Sequence, residues 1–178
     1  MARRKPSKLA GEALWQYALR ALGARAHSVA ELRDKLRRKA ESLTEAEEVL
    51  RRAKRHGYLD DRRYALSYAE SRLSGEGFGS GRALRDLKAR RVAPAVAEEA
   101  VRAAYKDADE DELVRKFLER KFRPAPLAEQ LRDRRRLASA YRRLRLAGFS
   151  SGSILRVLKS YSQAAEELEG AEEPEPEE

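Results

Sequence analysis

An all-α fold is what this sequence predicts: three tandem three-helix repeats forming an elongated, curved array. Three observations carry that expectation. Apolar residues recur at helical spacing along most of the chain, and no run of alternating β-branched residues appears. Proline is absent from Ser7 to Ala93, so long helices are permitted there. Apolar pairs also return about every fifty positions: Leu14-Trp15 and Ala18-Leu19, then Tyr64-Ala65 and Tyr68-Ala69, then Leu113-Val114 and Phe117-Leu118. A period of that length marks an array of supersecondary units, none of which can bury its stripe alone.

Residues 1–10 read as a basic, mobile N-terminal tail. Repeat one covers residues 11–57. Its first helix spans about Glu12 to Leu22. Its second opens on the capping box Ser28/Glu31 and carries Val29, Leu32 and Leu36 on one face. Leu43 closes the turn, and Thr44 with Glu47 reads as a second capping box opening a helix with the stripe Val49, Leu50 and Ala53. Gly57 ends that helix, because glycine reaches the left-handed conformation without a Cβ clash.

Repeat two covers residues 58–106. Tyr58 and Leu59 are the apolar residues beyond the stop. Asp60 and Asp61 place acceptors and negative charge where the next helix exposes free N–H groups, and Tyr64, Ala65 and Tyr68 form its stripe. Gly75, Gly77, Gly79 and Gly81 read as a flexible joint. The second helix follows with Ala83, Leu84 and Leu87, Val92 closes the turn, and the third carries Val96, Ala97, Ala100, Val101 and Ala104.

Repeat three covers residues 107–163. Asp109 and Glu112 cap a helix with Leu113, Val114, Phe117, Leu118 and Phe122, which Pro124 and Pro126 end. Leu137, Ala140, Tyr141 and Leu144 mark the second helix, and Phe149 closes the turn. Ile154, Leu155 and Leu158 answer Val49, Leu50 and Ala53 of repeat one. Residues 164–178 are rich in Glu and Pro, with little to bury, and read as a disordered acidic tail.

Composition excludes several classes. No segment approaches the ~20 apolar residues of a membrane span, so no membrane partner is expected. The basic start Arg3-Arg4-Lys5 is followed by no apolar run, so no secretory signal is expected and the cytoplasm is the simplest location. With no Cys there is no disulfide and no thiolate. No catalytic constellation, metal site or cofactor is expected, and the chain reads as a non-enzyme. His27 and His56 sit at helix junctions without a partner motif. Asp107, Asp109 and Asp111 suggest a calcium loop, but Glu112 and Leu118 stand where Gly and Glu would be needed. The glycines at 75–81 match no phosphate-binding loop. Asp60 and Asp61 serve better as caps than as an acid pair.

Charge points to a partner. Residues 161–178 hold eight Glu and no Lys or Arg, which leaves 39 basic against 22 acidic residues, a net of +17, on residues 1–160. A polyanion suits that balance. The candidate contacts are Arg51, Arg52, Lys54 and Arg55 on the third helix of repeat one; Arg85, Lys88, Arg90 and Arg91 on the second helix of repeat two; and Arg134, Arg135, Arg136, Arg142 and Arg143 on the second helix of repeat three. On one helix such a run is a solvated face. Repeated on equivalent helices it would make a basic surface for DNA or its protein filament.

The corner Gly57-Tyr58-Leu59-Asp60-Asp61 followed by Arg63-Tyr64-Ala65 and Tyr68, the segment Gly81-Arg82-Ala83-Leu84-Arg85-Asp86-Leu87-Lys88, and Gly148-Phe149-Ser150 before Ile154 resemble the RecX family of bacterial recombinase regulators. The resemblance covers roughly residues 12–160, and the acidic tail lies outside it. It implies a monomer that binds the groove of the RecA filament on single-stranded DNA, with double-stranded DNA as a second partner. It also implies inhibition of the ATPase, strand-exchange and coprotease activities of the recombinase, in DNA repair, homologous recombination and the SOS response. The corner then is a structural motif of Gly57, Tyr58, Asp60, Asp61, Tyr64 and Ala65. The alternative from residues alone is a basic DNA-binding protein that uses helix-turn-helix-like pairs to read duplex sequence.

Overall fold

A computed structural model describes residues 8–122, 126–162 and 165, and the fold is all-α. The elements are α1 (Gly11–Ala24), α2 (Val29–Lys39), α3 (Leu43–Arg55), α4 (Asp61–Ser71), a π-helical turn (Arg72–Glu76), α5 (Ser80–Ala89), α6 (Pro94–Ala104), α7 (Glu110–Lys121), the short α8 (Leu127–Gln130), α9 (Arg134–Leu146) and α10 (Ser151–Lys159). Two compact units result. One comprises residues 1–68 and 86–100, the other residues 69–85 and 101–178. Helices α4, α5 and α6 each contribute residues to both.

In the first unit α1, α2 and α3 pack on one another. Leu14, Ala18, Leu32, Leu36, Leu50 and Ala53 are buried where the three stripes meet. Each leucine taken from water contributes about 1.5–3 kcal/mol, which is why short helices of modest propensity hold together. The Ser28/Glu31 capping box forms as expected: the Glu31 N–H donates to Ser28 Oγ at 3.1 Å, and the Ser28 N–H to Glu31 Oε2 at 3.1 Å. The expected box at Thr44 does not. The helix starts one residue before it, and Ser42 is the N-cap, accepting from the Glu45 N–H at 3.1 Å. Leu43, expected to close the turn, is 64% exposed, and Ala40 is buried instead. Leu9, expected in a mobile tail, pairs its N–H with the Lys39 carbonyl (2.8 Å) and its carbonyl with the Glu41 N–H (3.0 Å). That pairing is the only β-bridge among the described residues.

In the second unit α7, α9 and α10 pack on one another. Val114, Leu118, Leu137, Leu144, Ile154 and Leu158 are fully buried there. Leu131, in the Arg-rich lead into α9, joins them, as does Ala165. Counted from the helix starts, Ile154, Val157 and Leu158 of α10 correspond to Ala46, Val49 and Leu50 of α3 and to Ala97, Ala100 and Val101 of α6, and Leu155 is buried as well.

Three helices end alike. Gly57 (φ +70°), Arg91 (φ 56°) and Gly148 (φ +90°) are left-handed, and the residue after each donates its N–H back to Ala53, Leu87 and Leu144 respectively. Glycine takes that conformation freely. Arg91 takes it at a cost of about 1–2 kcal/mol, and its guanidinium pairs with Asp34. Gly79 and Gly81, read as a joint, are instead places of close approach. The Gly79 N–H donates to the Ala147 carbonyl and the Gly81 N–H to the Gly148 carbonyl, both at 3.0 Å. A Cβ on Gly79 would collide with the Gly148 backbone.

Candidate nucleic-acid interface

The corner divides its work between elements that sequence spacing did not connect. Asp60 caps its own helix: Oδ1 accepts the N–H groups of Arg62 (2.8 Å) and Arg63 (3.2 Å). Asp61, expected to cap the same helix, instead accepts the Val29 N–H at 2.8 Å and so caps α2. Tyr64 and Ala65 are buried, as expected. Leu59 is buried but Tyr58 is 53% exposed, with its ring stacked on His56 (centroids 5.8 Å apart) and tilted against Trp15 (6.3 Å). His27 is buried, with Nδ1 2.8 Å from the Arg25 carbonyl. Burial holds its imidazole below the usual histidine range, against the hydrogen bond it donates to the Arg25 carbonyl.

The candidate cations separate into engaged and uncommitted groups. Arg90 is engaged: Nη1 pairs with Glu31 Oε1 at 2.8 Å, its guanidinium lies over the Tyr68 ring, and its carbonyl accepts from Ser28 Oγ at 2.7 Å. Burial works to raise the Glu31 carboxyl, but the Arg25 and Arg90 guanidiniums and the Ser28 N–H outweigh it and hold it below the usual range. Arg91 is committed to Asp34. Arg52 pairs with Glu12 at 3.1 Å and stacks over Trp15 at 4.1 Å. Lys88 meets Glu98 at 3.5 Å. Arg85 donates to the Leu146 carbonyl at 2.7 Å. Arg143 lies over Phe122. Arg51, Lys54 and Arg55 on α3, and Arg135, Arg136 and Arg142 on α9, are exposed and make no ion pair among the described residues. Arg134 opens α9, also exposed.

Several anchors escaped the sequence reading. Glu110 accepts from the Ser150 N–H (2.9 Å), Ser150 Oγ (2.6 Å) and Ser153 Oγ (2.7 Å), tying α7 to α10. Burial raises that carboxyl, and the serine hydrogen bonds more than reverse it, so Glu110 lies below the usual range. Asp111 and Arg156 pair bidentately beside it (3.0 and 2.9 Å). The four-residue spacing of Glu110 to Val114 carries no hint of a serine forty positions away.

Among the described residues no group of His, Cys, Asp and Glu could hold a metal ion, and no helix is long and apolar enough to cross a membrane.

Two family profiles match the chain, "RecX, first three-helix domain" over residues 15–52 and "RecX, second three-helix domain" over residues 60–101. The regulatory protein RecX of Deinococcus radiodurans is 34% identical over 152 residues, covering 85% of this chain and 70% of that protein. The chain belongs to the RecX family. The regulatory protein RecX of Trichlorobacter lovleyi is 32% identical over 142 residues, covering 80% of this chain and 91% of that RecX. The crystal structure of RecX from Lactobacillus salivarius aligns with a TM-score of 0.63 at 21% identity, over 83% of this chain and 94% of that one, and shares the fold. The Gly57–Asp61 corner joins the two RecX domains matched here, which accounts for its caps reaching into both α2 and α4.

Proposed function

We propose that this chain inhibits the RecA recombinase by binding the groove of the RecA–DNA filament, suppressing its ATPase, strand-exchange and coprotease activities in DNA repair, homologous recombination and the SOS response. It acts as a monomer in the cytoplasm and catalyses nothing itself. The observation that carries this reading is the set of uncommitted cations on α3 and α9 in a member of a family of regulatory proteins. A cation already paired inside the protein gains little from a phosphate, whereas Arg51, Lys54, Arg55, Arg135, Arg136 and Arg142 lose no partner on binding. The mechanism is electrostatic and steric: the cations compete for the filament's phosphates and the helical repeats fill its groove.

The test is single-stranded-DNA-dependent ATP hydrolysis by the cognate recombinase, with and without this protein. Inhibition that grows with its concentration is expected. Unchanged hydrolysis at saturating protein would overturn the reading.

A further inference from the structure

The second unit holds a groove whose cations are fixed in place but not neutralised. Phe78, Phe117 and Ala147 floor this groove of about 330 Å³, and Arg82, Lys121 and Arg143 rim it. Each of those cations stands by a ring: Arg82 is 5.6 Å from the Phe78 centroid, Lys121 5.9 Å from that of Phe117 and Arg143 5.8 Å from that of Phe122. An aromatic face attracts a cation through its quadrupole and leaves the charge itself uncompensated. No carboxylate lines the groove among the described residues. The contrast on the same helix is plain: Lys116, five residues before Lys121 on α7, meets Glu112 at 3.5 Å. Three like charges around an apolar floor are screened less than charges on open surface, so an anion gains more there.

The chain carries a matching segment. Ala165 is buried in the core cluster that contains Phe117 and Ala147 and against which Phe78 packs. The sequence runs on from it through residues 166–178, with eight Glu and no Lys or Arg. Such a segment reaches at most about 43–47 Å, whereas a unit of about a hundred residues has a radius of gyration of about 13 Å. No face of the second unit is out of its range. Tethering on the same chain gives an effective concentration on the order of a millimolar, so contacts too weak to hold a free peptide suffice.

We propose that residues 166–178 dock in this groove of their own chain, with glutamate carboxylates on Arg82, Lys121 and Arg143. The contact is self-inhibitory: it withholds those cations from a polyanion until the polyanion displaces the tail. It is intramolecular and does not rest on the filament reading.

Carbodiimide coupling of the full chain tests it, because the reagent joins a carboxylate to a lysine amine only where the two touch. Mass spectrometry of the digested monomeric fraction, coupled at low salt, should show tail glutamates joined to Lys121. The yield should be several-fold above that for Lys106 or Lys116, which are exposed on the same unit. The excess should vanish at about 1 M salt, where the screening length falls to about 3 Å. Heparin, a polyanion that is not a nucleic acid, should lower the Lys121 yield as its concentration rises. Arg143→Glu keeps Lys121 and should bring its yield down to that of Lys116, while circular dichroism melting shows that the variant folds. Equal yields on the three lysines overturn the inference, because the tail then visits the whole basic surface without a site. So does a Lys121 link that survives Arg143→Glu in folded protein, or one that forms only between chains in a dimeric fraction. A Lys121 link that heparin leaves unchanged overturns the self-inhibitory role. A chain whose tail joins Lys121 yet leaves recombinase ATP hydrolysis unchanged would sink the filament reading and leave this one standing.

Discussion

The Asp61 carboxylate accepts the Val29 backbone N–H at 2.8 Å and thereby caps a helix thirty-two positions earlier in the chain. Its neighbour Asp60 caps the helix that follows. Two adjacent carboxylates thus satisfy orphan N–H groups on two different helices, and neither can replace the other.

Asp61→Ala should cost about 1 kcal/mol, the usual loss of an N-cap, and should deprotect the Val29 amide in hydrogen exchange. Asp60→Ala should cost a similar amount while deprotecting Arg62 and Arg63 instead. Loss of the same amides in both variants would show that the two carboxylates act as one unit.

Glycine substitutions separate backbone strain from collision. Gly57 has open space around its absent Cβ, so Gly57→Ala should cost about 1–2 kcal/mol through φ alone. Gly148→Ala adds a collision with Arg82 and should cost several-fold more. Thermal melting of the two variants distinguishes the terms.

His27 gives acid sensitivity. Burial lowers its folded-state pKa beneath the unfolded value of about 6.5, so the unfolded chain binds the proton more readily. Stability should be full above about pH 6.5 and fall as pH drops from there toward the folded pKa. His27→Asn should flatten that part of the stability–pH curve. Glu110 acts lower on the scale: its depressed pKa contributes stability above its unfolded value, near 4.3, that is lost as pH falls through the folded one.

Engaged and uncommitted cations should respond oppositely. Arg51→Ala/Lys54→Ala/Arg55→Ala should shift stability by no more than about 0.5 kcal/mol per site and raise the concentration needed to inhibit the recombinase. Arg90→Ala leaves the half-buried Glu31 with one guanidinium fewer and should cost about 1.5–3 kcal/mol. Melting and ATPase inhibition, measured side by side, check both.

Residues 166–178 lie outside the described residues, but Ala165 is buried in the core of the second unit. Ala165 is the one residue of the expected tail, 164–178, that the structure describes. Removing residues 166–178 should leave the melting temperature unchanged and tighten DNA binding at low salt, because eight glutamates no longer compete for the cations. Weaker DNA binding after truncation would show that the tail contributes to the interface.

The sequence by itself determined the helices and the balance of charge. Helical stripes such as Leu14-Trp15-Ala18 and Leu32-Leu36 are set by neighbours three and four apart, and the Ser28/Glu31 box closes within one turn, so local spacing suffices. Net charge needs no fold at all. Tertiary structure decided which cations are available and which glycines are essential. Arg90 looks like Arg55 in sequence, and only the approach of Glu31 and Tyr68 from far along the chain commits it. Gly79 looks like a loose joint until the Gly148 backbone lies against it. Each outcome depends on groups dozens of residues apart meeting within a few ångströms, and local periodicity carries no record of such meetings.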